Sequence, residues 1–220
     1  MAGMDQLVQE VVAQIKQRST TPELPTGLPR LDEAIWGLHR SEVLVLAARP
    51  GEGKTTMALQ MAGHLADLKK RVLFLSLEMN VHQVIERWLI QLTQTNAWAL
   101  RTGHSPSEFF AKLESLNGYF QELSLRCVDD LGITVSEITS LLHEMAKTDL
   151  PPDVLILDFI QLVEAEEEGV TDMEAIKRYL RSLKRLAKRY DMAVVVCSQI
   201  NREGGRSGKL APKLIHLKGS

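Results

Sequence analysis

A chain of 220 residues that is 45% hydrophobic and 25% charged can bury a core without disulfides or metals. A net charge of −2 excludes a uniformly basic nucleic-acid protein and leaves only local basic patches for that role. An aromatic content of 5% excludes a surface built from stacking rings.

Cys127 and Cys197 stand far apart in apolar runs without zinc spacing, as reduced core thiols of a cytoplasmic protein do. The six histidines show no metal spacing either. The longest apolar runs, 43–48 and 192–197, have six residues each. A membrane-spanning helix needs roughly 18–20, and the N-terminus MAGMDQLVQE resembles no secretory signal. A soluble cytoplasmic chain with no membrane partner is expected.

The first element is an amphipathic helix over 5–18, with Leu7, Val8, Val11, Val12 and Ile15 at helical spacing between polar residues. The stretch STTPELPTGLPR then reads as a linker, since its three prolines and its glycine break a helix. Residues 1–20 therefore form a helical appendage that must bury its stripe on its own domain or, at least as readily, on a neighbouring subunit, and 21–220 form the main domain.

Within that domain, apolar runs at 42–48, 72–78, 125–128, 154–158 and 193–199 read as buried strands, because four of the five are nearly continuous rather than alternating. Helical patterns at 54–69, 81–93, 107–117, 134–147 and 172–190 separate them. This alternation predicts an α/β fold, a mainly parallel sheet flanked by helices, with ligands at the carboxyl ends of the strands.

Directly after the first strand comes ARPGEGKTT: Ala48, Arg49, Pro50, Gly51, Glu52, Gly53, Lys54, Thr55 and Thr56. It fits the phosphate-binding loop, with Ala48 where the common pattern has its first glycine. Gly51 and Gly53 let the backbone curl so that successive N–H groups face an anion, and the next helix presents its positive end to the same phosphates. In this pattern Lys54 contacts the β and γ phosphates of ATP and the Thr55 hydroxyl holds Mg²⁺. Asp158 closes VLILD and suits a second Mg²⁺ contact through water. Glu78 closes VLFLSLE, where a general base for the attacking water belongs. Gln199 closes AVVVCSQ, an uncharged donor and acceptor able to sense the γ-phosphate.

Two stretches carry basic charge. Helix 175–190 bears Lys177, Arg178, Arg181, Lys184, Arg185, Lys188 and Arg189, which read as the solvated face of a core-packing helix. The glycine-containing tail with Arg202, Arg206, Lys209 and Lys213 is the better candidate for single-stranded DNA, because phosphate neutralisation needs cations and a loop just past the γ-phosphate sensor is placed to move.

Taken in order, PTGLPRLDEAIWGL (25–38), AARPGEGKT (47–55), LFLSLEM (73–79), LRTG (100–103), ITVSEI (133–138), LILDFIQLV (155–163) and SLKRLAKRYDMAVVVCSQINR (182–202) resemble the C-terminal motor domain of the DnaB-type hexameric replicative helicases, within the RecA-like ATPases. The resemblance spans about residues 5–205, and the first helix is similar to the family's linker helix, which docks on the adjacent subunit. It implies an ATP hydrolase and DNA helicase. Lys54 and Thr55 would bind triphosphate and Mg²⁺, Glu78 would be the catalytic glutamate, Asp158 the Walker B acid and Gln199 the sensor. It further implies a ring of six around single-stranded DNA, and primase and a helicase loader as partners.

Three features depart from the family. The N-terminal collar domain is absent. The chain stops at LIHLKGS, before the strands that carry the arginine finger. The loop EAEEEGVTDME (164–174) holds six acids and no base, where the family has a more mixed or basic stretch. Two other readings stay open: a recombination-type or clock-type RecA-like ATPase, and a non-motor nucleotide-binding protein that docks into a helicase ring.

Overall fold

Among the described residues the fold is built on five parallel strands: β1 (Val43–Ala48), β2 (Val72–Ser76), β3 (Leu125–Val128), β4 (Val154–Asp158) and β5 (Ala193–Gln199), in the order β1-β5-β4-β2-β3. The structure, a computed structural model, describes residues 3–16, 21–104, 107–129, 134–148, 151–163 and 171–200. Most of the acidic 164–174 loop and the whole basic tail from 201 onward, with Arg202, Arg206, Lys209 and Lys213, lie outside the described residues.

Continuous apolar strands make sense because both faces of the sheet are covered. Side chains alternate between faces with a period of two. Val72, Phe74, Val154, Ile156, Val195 and Cys197 pack under α3 (Lys54–Asp67) and α4 (Val81–Thr93), against Leu59, Ala62, Val84 and Trp88. Leu73, Leu75, Leu155, Leu157, Val194 and Val196 point the other way, toward Ile138 and Leu142 of α7 (Val135–Thr148) and Leu183 and Ala187 of α8 (Asp172–Tyr190). Strand β1 has a partner on one side only among the described residues, so it is half-buried and Val45 remains 37% exposed. No helix among the described residues is long and apolar enough to cross a membrane.

At the amino ends of the strands the layers are stapled by charge. Asp153, just before β4, accepts from the Arg71 backbone N–H (2.9 Å), from Arg71 Nε and Nη2 (both 3.2 Å) and from Arg40 Nη2 (2.9 Å). Arg40 also donates to the Asp191 carbonyl at the end of α8 and to Glu23. Burial pushes the Asp153 carboxyl up, but these donors outweigh it and hold the group down to about 2.

The structure departs from the pattern-based boundaries in three places. The linker contains a helix, α2 (Pro29–Ile35): Pro29 opens it with a preset φ, Asp32 accepts from the Thr26 N–H (2.8 Å), and Trp36 ends it in the left-handed region. A short α5 (Ala97–Arg101) starts at Asn96, whose side chain accepts from Trp98 N–H, and α6 spans Ser107–Ser115. Strand β2 ends at Ser76 rather than at 78. The Ser76 hydroxyl donates to the Met79 carbonyl (2.7 Å) and accepts from its N–H (3.2 Å), which turns the chain out of the sheet, and an Asn80–Gln83 capping box then opens α4.

Helix α1 (Met4–Lys16) forms as the periodicity predicts. Its stripe of Leu7, Val8, Val11, Val12 and Ile15 is between 43% and 53% exposed, so nothing among the described residues covers it. Helix α8 presents Arg181, Arg185, Lys188 and Arg189 to solvent and buries Tyr179, Leu183, Leu186 and Ala187, as expected for a solvated face on a packing helix.

Candidate functional site

The carboxyl ends of β1, β5, β4 and β2 converge beneath the start of α3. The loop out of β1 turns through Gly51 (φ 80°) and Gly53 (φ 88°), the latter at the N-cap of α3. A Cβ at either glycine would meet open space, so the requirement is conformational: only glycine takes this backbone without strain. Glu52 closes the loop on itself, its carboxylate accepting from the Arg49 N–H (2.9 Å) and its own N–H donating to the Arg49 carbonyl (3.2 Å).

Lys54 and Thr55 occupy the first turn of α3, each 7% exposed. The Lys54 ammonium lies 5.7 Å from the centre of the Phe159 ring, which sets it above the end of β4. Thr56 stays exposed at the mouth of the loop.

Asp158 ends β4 and is 1% exposed, and neither of its carboxylate oxygens has a hydrogen-bond partner. A buried, unpartnered carboxylate is costly by itself. Such a group suits a site that something cationic completes. Its face of the sheet is the α3 face, shared with Cys197, whose thiol is pushed well above its ordinary range by burial and then by the Asp158 charge. The donor set fits Mg²⁺, a hard cation that takes one or two protein oxygens alongside phosphate oxygens: the Thr55 hydroxyl and the Asp158 carboxylate would hold it.

The two remaining residues are placed by register. Gln199, the last residue of β5, lies opposite Ala48, the first residue of the loop. Period-two alternation from Val195 and Cys197 puts its side chain on the α3 face. Glu78 is exposed and sits two residues beyond the end of β2, not at its tip. The Leu77 N–H donates to the Asp158 carbonyl at 2.7 Å, which keeps that segment beside the end of β4.

Sequence reasoning gives no role to Gln161. It sits in the 3-10 turn after β4 (Ile160–Leu162), and its side-chain amide bonds to both Ser198 and Gln199. The one signal for it in the sequence is an uncharged amide in LILDFIQLV, a run that is apolar apart from it and Asp158. Among the described residues no group of three or more His, Cys, Asp or Glu forms a further metal centre, and both cysteines are free.

The model of the DnaB-like helicase C-terminal domain matches residues 23–220. The replicative DNA helicase DnaB of Buchnera aphidicola subsp. Acyrthosiphon pisum (strain APS) is 31% identical over 207 residues, covering 91% of this chain and 45% of that protein. A solved structure of a DnaB-like replicative helicase and its interactions with primase superposes with a TM-score of 0.91 at 26% identity, over 99% of this chain and 54% of the other. A second solved structure, an ATPase domain, gives a TM-score of 0.90, also at 26% identity, over 100% of this chain and 79% of that one. The chain thus spans about half the length of the curated relatives it matches.

Proposed function

The chain belongs to the DnaB-like helicase C-terminal domain family, and from that premise we propose that it is the motor of a replicative DNA helicase, hydrolysing ATP to move on single-stranded DNA and unwind duplex. The observation that carries the reading is Asp158, a buried carboxylate with no partner, ending the strand beneath a glycine-turned loop that presents Lys54 and Thr55.

Thr55 and Asp158 would hold Mg²⁺, which would supply positive charge against the negative charge that grows on the phosphates. Backbone N–H groups at the glycine-turned end of the loop, residues 51–56, and the Lys54 ammonium cradle the phosphates of ATP. Glu78 orients and deprotonates the attacking water, and its exposed position two residues past β2 suits a group that meets substrate at a subunit boundary. Gln199 donates its side-chain N–H to a γ-phosphate oxygen and ties the presence of that group to the chain that follows, whose Arg202, Arg206, Lys209 and Lys213 contact DNA phosphates.

The same reading makes the protein a ring-former, with six copies the family's number and α1 as the docking element. An exposed apolar stripe on a helix joined by a proline-rich segment is what such a contact requires. Primase and a helicase loader are the further partners this reading assigns, and the cytoplasm its location.

The test is unwinding of a forked DNA duplex with ATP and Mg²⁺. Strand separation that stops in Glu78→Gln supports the motor reading. ATP turnover without any strand separation would turn it toward another RecA-like ATPase.

A further inference from the structure

Strand β4 pairs with β5 only as far as Leu157 opposite Val196. Past Asp158 the chain leaves the sheet for the 3-10 turn Ile160–Leu162, while β5 runs three residues further, through Cys197, Ser198 and Gln199. On its other side β5 stays paired with β1, Ala47 opposite Ser198 and Ala48 opposite Gln199. On the side that β4 vacates, the backbone of Gln199 would have no partner.

The Gln161 side chain takes that place. Its Oε1 accepts from the Gln199 N–H at 3.2 Å, and its Nε2 donates to the Gln199 carbonyl at 3.3 Å and to the Ser198 hydroxyl at 2.8 Å. One side-chain amide therefore serves a backbone N–H and a backbone C=O together, as a paired strand would. A side-chain amide carries a neutral donor and an acceptor side by side on one planar group, and Gln reaches further than Asn. Ser198 is 4% exposed, so the bond to its hydroxyl is made in a largely water-free place where losing a partner is expensive.

We propose that Gln161 is a positioning residue for recognition of the nucleoside triphosphate: by clamping the tip of β5 to the turn after Asp158, it sets Gln199 at a fixed height beside the phosphate loop. The clamp makes one unit of the metal-holding carboxylate, three residues upstream of Gln161, and the γ-phosphate sensor on the next strand. This rests on the reading of Gln199 as the sensor, and the experiment separates the two.

The affinities of Mg²⁺ with ADP and with the non-hydrolysable β,γ-imido analogue of ATP are measured by competition against a fluorescent N-methylanthraniloyl nucleotide. The proteins compared are wild type, Gln161→Met, Gln161→Ala, Gln199→Ala and the Gln161→Met/Gln199→Ala double variant, with melting temperatures alongside. Gln161→Met keeps the side chain's length and removes only the amide, so it guards against a variant that fails to fold. Wild type is expected to prefer the triphosphate, and Gln161→Met to narrow that preference about three- to tenfold, the loss of roughly one hydrogen bond's ordering. The double variant is expected to be no worse than Gln199→Ala alone. If Gln199→Ala narrows the preference and Gln161→Met does not, or if their effects multiply, the clamp is merely structural and the proposal is overturned. If Gln199→Ala leaves the preference unchanged, the sensor reading itself has failed, and the positioning role fails with it.

Discussion

Replacing Asp158 by Asn exposes a conflict between stability and function that the geometry builds into this site. The carboxylate is 1% exposed, and both oxygens lack partners. Leaving a buried polar group unsatisfied costs about 1–3 kcal/mol, and more when it is charged. An amide of the same size removes the charge but stays buried and unpaired itself, so the gain without nucleotide is the excess cost of the charged group over the neutral one, about 1–3 kcal/mol. For a domain of this size each kcal/mol shifts the melting temperature by about 2–4 °C, giving an increase of roughly 2–12 °C. On the proposed reading the same change also deletes a Mg²⁺ ligand. Melting is followed by differential scanning fluorimetry with EDTA, with Mg²⁺ and ADP, and with Mg²⁺ and the β,γ-imido analogue of ATP. Asp158→Asn should melt higher than wild type in EDTA and lose most of the Mg²⁺-dependent upward shift with nucleotide. A variant that melts lower in EDTA, or keeps the full Mg²⁺-dependent shift, would refute the reasoning.

Three further outcomes follow from other parts of the molecule. The Asp153 carboxyl is held at about 2 against an ordinary 3.8, a native-state depression worth about 2 kcal/mol; that stability is present above the unfolded-state value near 4 and lost as pH falls toward 2. Urea unfolding should therefore show Asp153→Asn less stable than wild type by about 2 kcal/mol at pH 7, with the gap closing between about pH 4 and pH 2, whereas a gap independent of pH would contradict the assignment. Leu7→Asp with Val11→Asp puts two charges into the α1 stripe, where each buried apolar side chain is worth about 1.5–3 kcal/mol; light scattering after size exclusion should show the ring dissociating while the melting temperature of the domain barely moves, and an intact ring would remove α1 from the interface. Arg206→Ala, Lys209→Ala and Lys213→Ala together should weaken single-stranded DNA binding and reduce the slope of log affinity against log salt by about 2; an unchanged slope would place the DNA contact elsewhere.

Much of this site is legible in the sequence because its chemistry depends on local order. A loop turned by Gly51 and Gly53 just before Lys54 and Thr55 needs no tertiary information, and apolar runs ending in Asp158 and Gln199 place those residues at strand ends by themselves. The pattern carries β2 two residues too far because Leu77 continues its apolar run; the Ser76 hydroxyl, which bonds to Met79 and turns the chain, outweighs that pattern. Helix α2 is hidden by the prolines of the linker that contains it. Pro29 breaks a helix from inside but begins one at the first position, and only the Thr26–Asp32 contact shows which applies. Gln161 carries no weight in the sequence, since its role arises where β4 ends earlier than β5, a fact of pairing rather than of pattern.

The most direct test of a DNA-driven motor is the rate of ATP hydrolysis by this chain with and without single-stranded DNA, with Glu78→Gln run beside it. The account predicts turnover that DNA stimulates at least severalfold, and a Glu78→Gln variant that binds nucleotide normally but hydrolyses it at least about tenfold more slowly. Hydrolysis indifferent to DNA, or undiminished by Glu78→Gln, would contradict it.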